Sequence, residues 1–326
     1  MANVSFDVAL FPTEPAEQTV RLAKLAEKLG YDGVWVGDSH IIWREMYVLL
    51  GAIASQTKRV KLGSGVTHPL VRHLSLTASS FLTLSELSGG RMRIGIGIGA
   101  SGPINIGVKR AARKELAEAV SNLRALMKGE RVSLDGREMR LMFADHGPIP
   151  IFMAASTSGT RDLAAGIADG AIHGGREDLL KEWVSTFRQS VSQGGRDPRS
   201  VIVVSWVPCC VSRDSKAAKE SVKPHIARSG WTSFTKMVSE GKPVAEEDRL
   251  AAERISREYD FSHHMSREHS HLVPDRWVDL FAAAGSPQQV KARIDQIIQS
   301  GVDVVSIVPY GDKESIMKLF AKKVIG

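Results

Sequence analysis

The stretch RMRIGIGIGASGPINIG, residues 91–107, decides between two α/β folds. Its glycines at 97–102 fit the pattern G-x-G-x-x-G, which is typical of a dinucleotide-binding turn between a strand and a helix. That turn requires a helix to begin inside the glycine run. Here Pro103 prolongs the loop, and a helical pattern begins only near Ala111. The stretch therefore predicts a strand over Met92–Ile98 that ends in an open loop.

The rest of the chain repeats this alternation of a short apolar strand and an amphipathic helix. Eight strands are predicted, over Val4–Leu10, Asp32–Gly37, Val60–Val66, Met92–Ile98, Pro150–Ala154, Asp169–His173, Val201–Val207 and Val302–Pro309. Strands that are apolar on both faces are typical of a parallel sheet covered by helices. Eight such units predict an α/β fold of the (β/α)8 TIM barrel class. A doubly wound sheet with a second domain would need a linker and a shift in composition, and the sequence has neither.

We expect a single barrel domain over residues 1–326, interrupted by two insertions. The first insertion covers about residues 130–148. The second, about residues 228–276, is polar, and its pattern predicts helices near the mouth of the barrel.

Composition excludes several classes of protein. The chain of 326 residues is 43% hydrophobic, yet it has no apolar run of about 18 residues, so we expect no membrane span. The net charge of +7 is spread along the chain, and we expect no nucleic-acid partner. The first residues lack a basic segment, so we expect no signal peptide and a cytoplasmic protein. The adjacent Cys209 and Cys210 fit the buried end of a strand better than a redox pair.

Active sites of (β/α)8 barrels lie at the carboxyl ends of the strands, so the residues after each strand are the candidates. After the second strand come Asp38 and His40, with Trp43 close behind. A carboxylate beside an imidazole is suited to acid–base chemistry near neutral pH. The alternatives are a helix cap for Asp38 and a hydrogen-bonded core residue for His40. After the third strand, the glycines around Ser64 permit close approach of a flat ligand, or form a plain turn.

Two later strand ends suggest a site for an anion. The run 155–161, ASTSGTR, places four hydroxyl residues and a glycine at the start of a helix, where free N–H groups and the helix dipole attract negative charge. Ordinary capping by Ser156 or Ser158 is the alternative. After the sixth strand, His173-Gly174-Gly175-Arg176 begins another helix and is a second candidate for the same anion.

A run of histidines in the second insertion invites a metal site. His263, His264, His269 and His271 lie close to Glu268, but their spacing fits neither H-E-x-x-H nor H-x-x-E-H. We therefore expect no metal, and a polar lid over the barrel mouth is the favoured interpretation.

Several motifs together resemble one family. GYDGVWVGDSH at 30–40, KLGSGVTHPLVRH at 61–73, LTLSELSGGRMRIGIGIGASG at 82–102 and the Ala-Gly-x-Ala-Asp-Gly run at 165–170 are similar to the luciferase-like flavin oxidoreductases, and above all to their 5,10-methylenetetrahydromethanopterin reductase-like branch. The resemblance implies a (β/α)8 barrel with an insertion, a homodimer, and F420 or FMN as cofactor. It fades over the insertion at about 228–276.

The resemblance also implies roles for individual residues. Asp38 and His40 would lie beside the reactive edge of the flavin ring, and the bond between Gly65 and Val66 would be a non-proline cis peptide against that ring. The residues expected to hold the cofactor are Ser64, Gly65, Val66, Gly97, Gly99, Ala100, Ser156, Thr157, Ser158, Gly159, Thr160, His173, Gly174 and Gly175. Trp43, His263 and His264 are expected at the substrate. Many relatives carry an acid at the position of Ala100, so a mechanism that uses that acid is in doubt here.

The function predicted from these features is reversible hydride transfer between F420 or FMN and a small organic substrate, with His40 exchanging the proton and Asp38 orienting or tuning it. An alternative is a two-component monooxygenase that receives FMNH2 from a separate flavin reductase. A third is a cofactor-binding protein without catalysis.

Overall fold

The computed structural model describes residues 4–144 and 147–326. The strands in chain order are β1 (Ser5–Leu10), β2 (Gly33–Val36), β3 (Lys61–Ser64), β4 (Met92–Ile96), β5 (Val132–Leu134), β6 (Arg137–Met139), β7 (Ile151–Ala154), β8 (Gly170–His173), β9 (Ile202–Val211), β10 (Ala283–Gly285) and β11 (Val304–Pro309). The helices are α1 (Ala16–Lys28), α2 (Met46–Gln56), α3 (Leu74–Ser88), α4 (Ser101–Ile104), α5 (Arg113–Met127), α6 (Ser158–Ile167), α7 (Leu180–Gln193), α8 (Ser215–Ser239), α9 (Glu246–Glu258), α10 (Asp275–Phe281), α11 (Pro287–Gln299) and α12 (Lys313–Phe320).

All strands except β5, β6 and β10 correspond to the eight predicted ones, and helical structure follows each of them. The predicted (β/α)8 fold class is confirmed. Contacts define two compact units, a first unit of residues 9–172 and 187–202 and a second unit of residues 4–8, 173–186 and 203–326. That the chain forms one domain stays a prediction.

The first unit contains a parallel sheet in the order β2-β3-β4-β7-β8. Val34 is in register with Leu62, and Ile94 with Ile151. The helices pack in chain order, with α2 between α1 and α3, and α5 between α3 and α6. Because the strands run parallel, their carboxyl ends meet at one edge of the sheet, and the loops that follow them lie there together.

The second unit contains the strand order β10-β9-β11-β1, again with parallel pairing. The predicted insertion over residues 228–276 is helical in the structure. It comprises the end of α8, helix α9, two short 3-10 turns at Phe261–His263 and Arg267–Leu272, and the start of α10. Strand β10 was not predicted, because a run of three small residues carries no strand pattern. The insertion's place at the barrel mouth stays a prediction.

The first insertion contains a β-hairpin that the sequence analysis did not specify. Strands β5 and β6 pair antiparallel, and Asp135 and Gly136 between them have φ angles of 51° and 75°. An Asp-Gly pair with positive φ is a common two-residue hairpin turn. Residues 145 and 146 of the predicted insertion lie outside the described residues.

The expectation of an open loop after β4 was wrong in one respect. A four-residue helix, α4, begins at Ser101 inside the glycine run, because the residues before Pro103 can adopt helical geometry and proline is tolerated in a first helical turn. Helix α5 begins two residues after the predicted start. Cys209 and Cys210 are both free and buried within β9, as the strand interpretation predicted. Among the described residues, no helix is long and apolar enough to cross a membrane.

Candidate functional site

Asp38, which follows β2, forms a two-point ion pair. The guanidinium of Arg72 donates from Nη1 to Oδ2 at 2.7 Å and from Nη2 to Oδ1 at 3.0 Å. Nη2 also donates to Glu45 Oε1 at 2.8 Å. Burial would lower the pKa of Arg72, but the hydrogen bonds and charge of Asp38 raise it above its usual value. The negative charge of Asp38 is therefore balanced and fixed in place by Arg72.

His40 does not make the contact with Asp38 that their spacing suggested. No hydrogen bond joins the two side chains in the described part of the chain, because both Asp38 oxygens face Arg72. His40 is half-buried, and its Nδ1 is buried without a hydrogen-bond partner among the described residues. Nδ1 of His40 is therefore available to a ligand, and the predicted orientation of the imidazole by Asp38 does not occur through a hydrogen bond between the two side chains.

The peptide bond between Gly65 and Val66 is cis, as the resemblance implied. Ser64, just before it, donates from Oγ to the Gly95 carbonyl at 2.8 Å and accepts from the Gly95 N–H at 2.9 Å. Beyond the cis bond, the chain returns to β4, since Thr67 N–H donates to the same carbonyl at 2.8 Å. The side chain of Ser64 therefore holds the two strand ends together, and its contact with the cofactor stays a prediction.

The glycine loop after β4 lies against these residues. A Cβ on Gly97 would lie 3.1 Å from the side chains of Val66 and Ala154, so the loop runs close to the cis bond. Gly99 has a φ of 81°, and its carbonyl accepts from Arg110 Nε at 2.9 Å. Ala100 offers no polar side chain. Ser101 accepts a hydrogen bond from Ser39 at 2.9 Å, which joins the loop after β4 to the loop after β2.

Trp43, predicted at the substrate, is buried. Its ring stacks on Phe11 with centroids 4.8 Å apart, and both rings lie so close to Gly37 that a Cβ there would collide with them. The contact shapes the wall behind the loop after β2. A direct role of Trp43 at the substrate stays a prediction.

The start of α6 combines capping with exposed positive charge. Thr157 is the N-cap, and its Oγ1 accepts from Thr160 N–H, so the cap is neither of the serines considered from the sequence. Ser156 and Ser158 are exposed. The guanidinium of Arg113 lies over Gly159, where a Cβ would collide with it, and it has no ion pair among the described residues. A cation at the positive ends of both α5 and α6 favours a bound anion.

The other predicted site residues belong to the second unit. His173 is buried against Trp183, with ring centroids 5.1 Å apart, and burial lowers the pKa of His173 to about 4. Gly175 lies beside this imidazole, and Gly174 has open space around it. Their part in cofactor binding stays a prediction.

His263 and His264 have different surroundings, although they are adjacent. His263 is exposed and lies 3.1 Å from Asp260. His264 is buried, its Nδ1 is 2.6 Å from the hydroxyl of Tyr259, and burial lowers its pKa to about 3. Across the described ranges, no three His, Cys, Asp or Glu side chains are arranged to hold a metal ion. Their role at a substrate stays a prediction.

Three residues of the first-unit site were not singled out from the sequence. They are His68, Arg72 and Arg113, and the first two lie in the 61–73 stretch that carries the resemblance. Arg72 is 34 residues from its partner Asp38, and Arg113 is 46 from Gly159. A pattern read along the chain does not show pairs so far apart, whereas a search for titratable residues near predicted strand ends would have included His68 and Arg72.

Comparison with known proteins identifies the family. The sequence profile described as "Luciferase-like monooxygenase" matches residues 4–304. The chain is 30% identical to the 5,10-methylenetetrahydromethanopterin reductase of Methanolobus tindarius, over 99% of this chain and 100% of that protein. It is 27% identical to the F420-dependent glucose-6-phosphate dehydrogenase of Beutenbergia cavernae, over 92% and 90% of the two chains.

A solved structure shows the same similarity to an F420-dependent reductase. The coenzyme F420-dependent tetrahydromethanopterin reductase of Methanopyrus kandleri superposes with a TM-score of 0.81 at 25% identity, over 99% of both chains. The similarity therefore extends through the insertion at 228–276, where the sequence resemblance was weak.

Proposed function

The chain belongs to the luciferase-like monooxygenase family, and from this we propose that it is an F420-dependent oxidoreductase that transfers a hydride between the cofactor and an unsaturated carbon of a small organic substrate. The observation that supports this most is the half-buried imidazole of His40 at the end of β2, with a buried nitrogen that no described residue engages. It lies at the sheet edge that also carries the cis Gly65–Val66 bond and the loop of Gly97 and Gly99.

The residues at this edge fit a flavin-type cofactor. Gly65, Val66, Gly97 and Gly99 would face its flat ring, and the absence of a side chain at the glycines leaves space for close approach. The N–H groups at Thr157–Thr160 and the Arg113 guanidinium would hold its phosphate. When bound, the cofactor supplies the carrier for two electrons and one hydrogen as hydride; the protein supplies position and electrostatics.

We assign the proton to His40. On reduction of the substrate, the carbon gains the hydride and the adjoining atom gains a proton from the imidazolium, and the reverse holds for oxidation. The pair of Asp38 and Arg72 contributes a fixed dipole at the same edge without touching His40. Acid–base catalysis of this kind requires the imidazole to be able to change its charge near neutral pH.

We propose F420 rather than FMN because the dehydrogenase of Beutenbergia cavernae and the reductase of Methanopyrus kandleri, to which the chain is similar, both depend on F420. The two-component monooxygenase shares the fold and the anion site. It differs in consuming oxygen when FMNH2 is supplied by a flavin reductase, so oxygen uptake separates the two functions.

The test is titration of the purified protein with F420 and with FMN, followed by fluorescence. We expect F420 to bind at least about tenfold more tightly than FMN. Arg113→Gln should weaken F420 binding by about tenfold, the size expected for one charge-assisted hydrogen bond to phosphate. Arg199→Gln, at a fully exposed position of the same unit, is the control and should change nothing. Binding of neither cofactor would overturn the proposal.

We also propose a homodimer through the outer faces of α2 and α3. Val48, Leu76 and Leu87 are 71%, 54% and 55% exposed on these two adjoining helices. Leu76 and Leu87 lie three turns apart on one face of α3. Light scattering should give twice the chain mass, and Leu87→Lys should shift the protein toward monomer. Leu250→Lys, a half-exposed leucine on α9, is the control.

A further inference from the structure

A buried hydrogen bond joins the loop after β2 to the loop after β4. Ser39 and Ser101 are 2% and 4% exposed, and the Ser39 hydroxyl donates to the Ser101 hydroxyl at 2.9 Å. The two serines are 62 residues apart along the chain. Ser39 directly precedes His40, and Ser101 follows the loop of Gly97 and Gly99. The bond therefore links the proposed proton carrier to the loop that we propose to face the cofactor.

Ser39 also anchors the turn that carries His40. Its carbonyl accepts hydrogen bonds from the N–H groups of Ile42 and Trp43, at 3.0 Å and 2.9 Å. The indole of Trp43 stacks on Phe11, which holds the far end of the turn. Both ends of the turn are thus fixed, and His40 lies between them.

The imidazole of His40 has less restraint than the turn beneath it. Its Nδ1 has no hydrogen-bond partner among the described residues, and both carboxylate oxygens of Asp38 bind Arg72. The place of the imidazole therefore depends on the backbone that carries it. Ser39 is the residue through which that backbone is bonded to the loop after β4.

Ser101 is well suited to receive this bond. Residues 97–100 are Gly, Ile, Gly and Ala, so Ser101 carries the first polar side chain after the end of β4. Its main chain is held by helix α4, because the Asn105 N–H donates to the Ser101 carbonyl at 3.0 Å. Ser101 is therefore a fixed acceptor for Ser39.

We propose that Ser101 is a positioning residue: through its hydrogen bond with Ser39, it sets where the His40 imidazole lies relative to the ring of the cofactor. This rests on the proposed function. Proton and hydride must reach adjoining atoms of the substrate, and a displacement of about 1 Å in such an arrangement can lower the rate about a hundredfold. Ser101→Ala would leave the buried Ser39 hydroxyl without this acceptor, and the turn would no longer be tied to the glycine loop.

NMR of the His40 ring, with F420 as the probe, tests the proposal. In the wild type, addition of F420 should shift the Cε1–H signal of His40. Ser101→Ala should largely abolish this shift, while F420 affinity, measured by fluorescence titration, changes by less than about threefold. Ser101→Thr, which keeps the hydroxyl, should restore the shift. Ser39→Ala should act as Ser101→Ala does, and the double variant should show no larger effect than either, because each change removes the same bond.

The control is Ser88→Ala in the same unit. Ser88 is also buried, at 5% exposed, and its hydroxyl donates to the Ser85 carbonyl and accepts from the Arg91 N–H, both at 3.2 Å. This variant should lower the Tm and leave the F420-induced shift of His40 unchanged. If Ser101→Ala also lowers the Tm but keeps the wild-type shift, Ser101 is only structural and the inference is overturned.

Failure of the proposed function would look different. If the wild type binds no F420, that function fails, and the cofactor-free protein decides the inference: the His40 signal must differ between Ser101→Ala and the wild type, and identical signals overturn it. Binding of F420 to the wild type without a shift of the His40 signal overturns it as well. Should Ser101→Ala not fold, Ser39→Ala decides by the same measurements.

Discussion

Two groups of buried histidines in this protein differ in how their nitrogens are used. In the second unit, His225 Nδ1 is 3.0 Å from the hydroxyl of Tyr310, and His264 Nδ1 is 2.6 Å from that of Tyr259. By contrast, Nδ1 of the half-buried His40 in the first unit and Nδ1 of His173 in the second unit have no such partner among the described residues. A histidine that the protein satisfies contributes to the fold, and one that it leaves unsatisfied is available to a ligand.

The largest expected effect is on catalysis. His40→Asn removes the titrating group and should lower kcat by about 10²- to 10⁴-fold, the usual contribution of a general acid or base. Cofactor affinity should change by less than about threefold. Steady-state kinetics and fluorescence titration measure the two quantities. Equal losses in kcat and in affinity would show that His40 holds the cofactor instead of moving a proton.

The second prediction concerns the pH dependence of stability, which depends on the hydrogen-bonded histidines His225 and His264. Burial lowers the pKa of His225 to about 4 and that of His264 to about 3, whereas an unfolded histidine titrates near 6.5. Between these values the unfolded state binds more protons. The free energy of unfolding should therefore fall with pH below about 6.5, by up to about 1.4 kcal/mol per pH unit for each residue.

Urea unfolding at several pH values between about 7 and 4.5 measures this dependence. Replacing both residues by Asn should reduce the slope and leave the part that comes from the buried His173, while His271→Asn, at an exposed position, should not change it. The same slope in the double variant would contradict a structural role for the two residues.

The third prediction concerns the ion pair beside His40. Asp38→Asn leaves the half-buried Arg72 with Glu45 as its remaining carboxylate, and should lower the free energy of unfolding by about 2 kcal/mol. The charge of Asp38 also raises the pKa of His68, so that pKa should fall in the variant. Glu45→Gln, at the more exposed partner, is the control and should cost less than about 1 kcal/mol. If the two variants lost the same free energy of unfolding, the burial of Asp38 would not add to the strength of its ion pair.

The smallest effect is expected in the second unit. Tyr259→Phe removes the hydrogen bond to His264 and the weaker one that the Met265 N–H donates to the same hydroxyl, and should lower the free energy of unfolding by about 1.5 kcal/mol. F420 affinity should be unchanged. A loss of F420 affinity would show that Tyr259 and His264 contribute to ligand binding and not only to stability. The contrast between the two groups of histidines would then be weaker.

The order of strands and helices could be predicted from the sequence. Each strand is a short apolar run, and in each helix the apolar residues recur with the helical spacing of three to four residues. The sequence also placed His40 correctly at a strand end. It did not reveal that Asp38 pairs with Arg72, since Arg72 is 34 residues away along the chain and only the fold brings the two side chains together. Nor did it reveal that Nδ1 of His40 lacks a hydrogen-bond partner among the described residues, because hydrogen bonding of a polar atom depends on its three-dimensional surroundings.

At the start of α6, too, only part of the site could be predicted from the sequence. Four hydroxyl residues and a glycine predicted an anion site, and the structure uses two of those hydroxyls for capping. The positive charge over that helix start comes from Arg113, in a different helix. Local patterns therefore identified where a ligand is expected, while the groups expected to hold it came from elsewhere in the chain.

The double hydrogen bond between Ser64 and Gly95 has a consequence for protein engineering. It fixes the ends of β3 and β4 by a side chain, so the loops beyond it are anchored independently of their own sequence. A directed-evolution library for new substrates should keep Ser64 and Gly95 constant, since a Cβ on Gly95 would also collide with the carbonyl of Ser64. Ala100, small and half-buried, is the position at which such a library can introduce new chemistry while the anchoring bonds are retained.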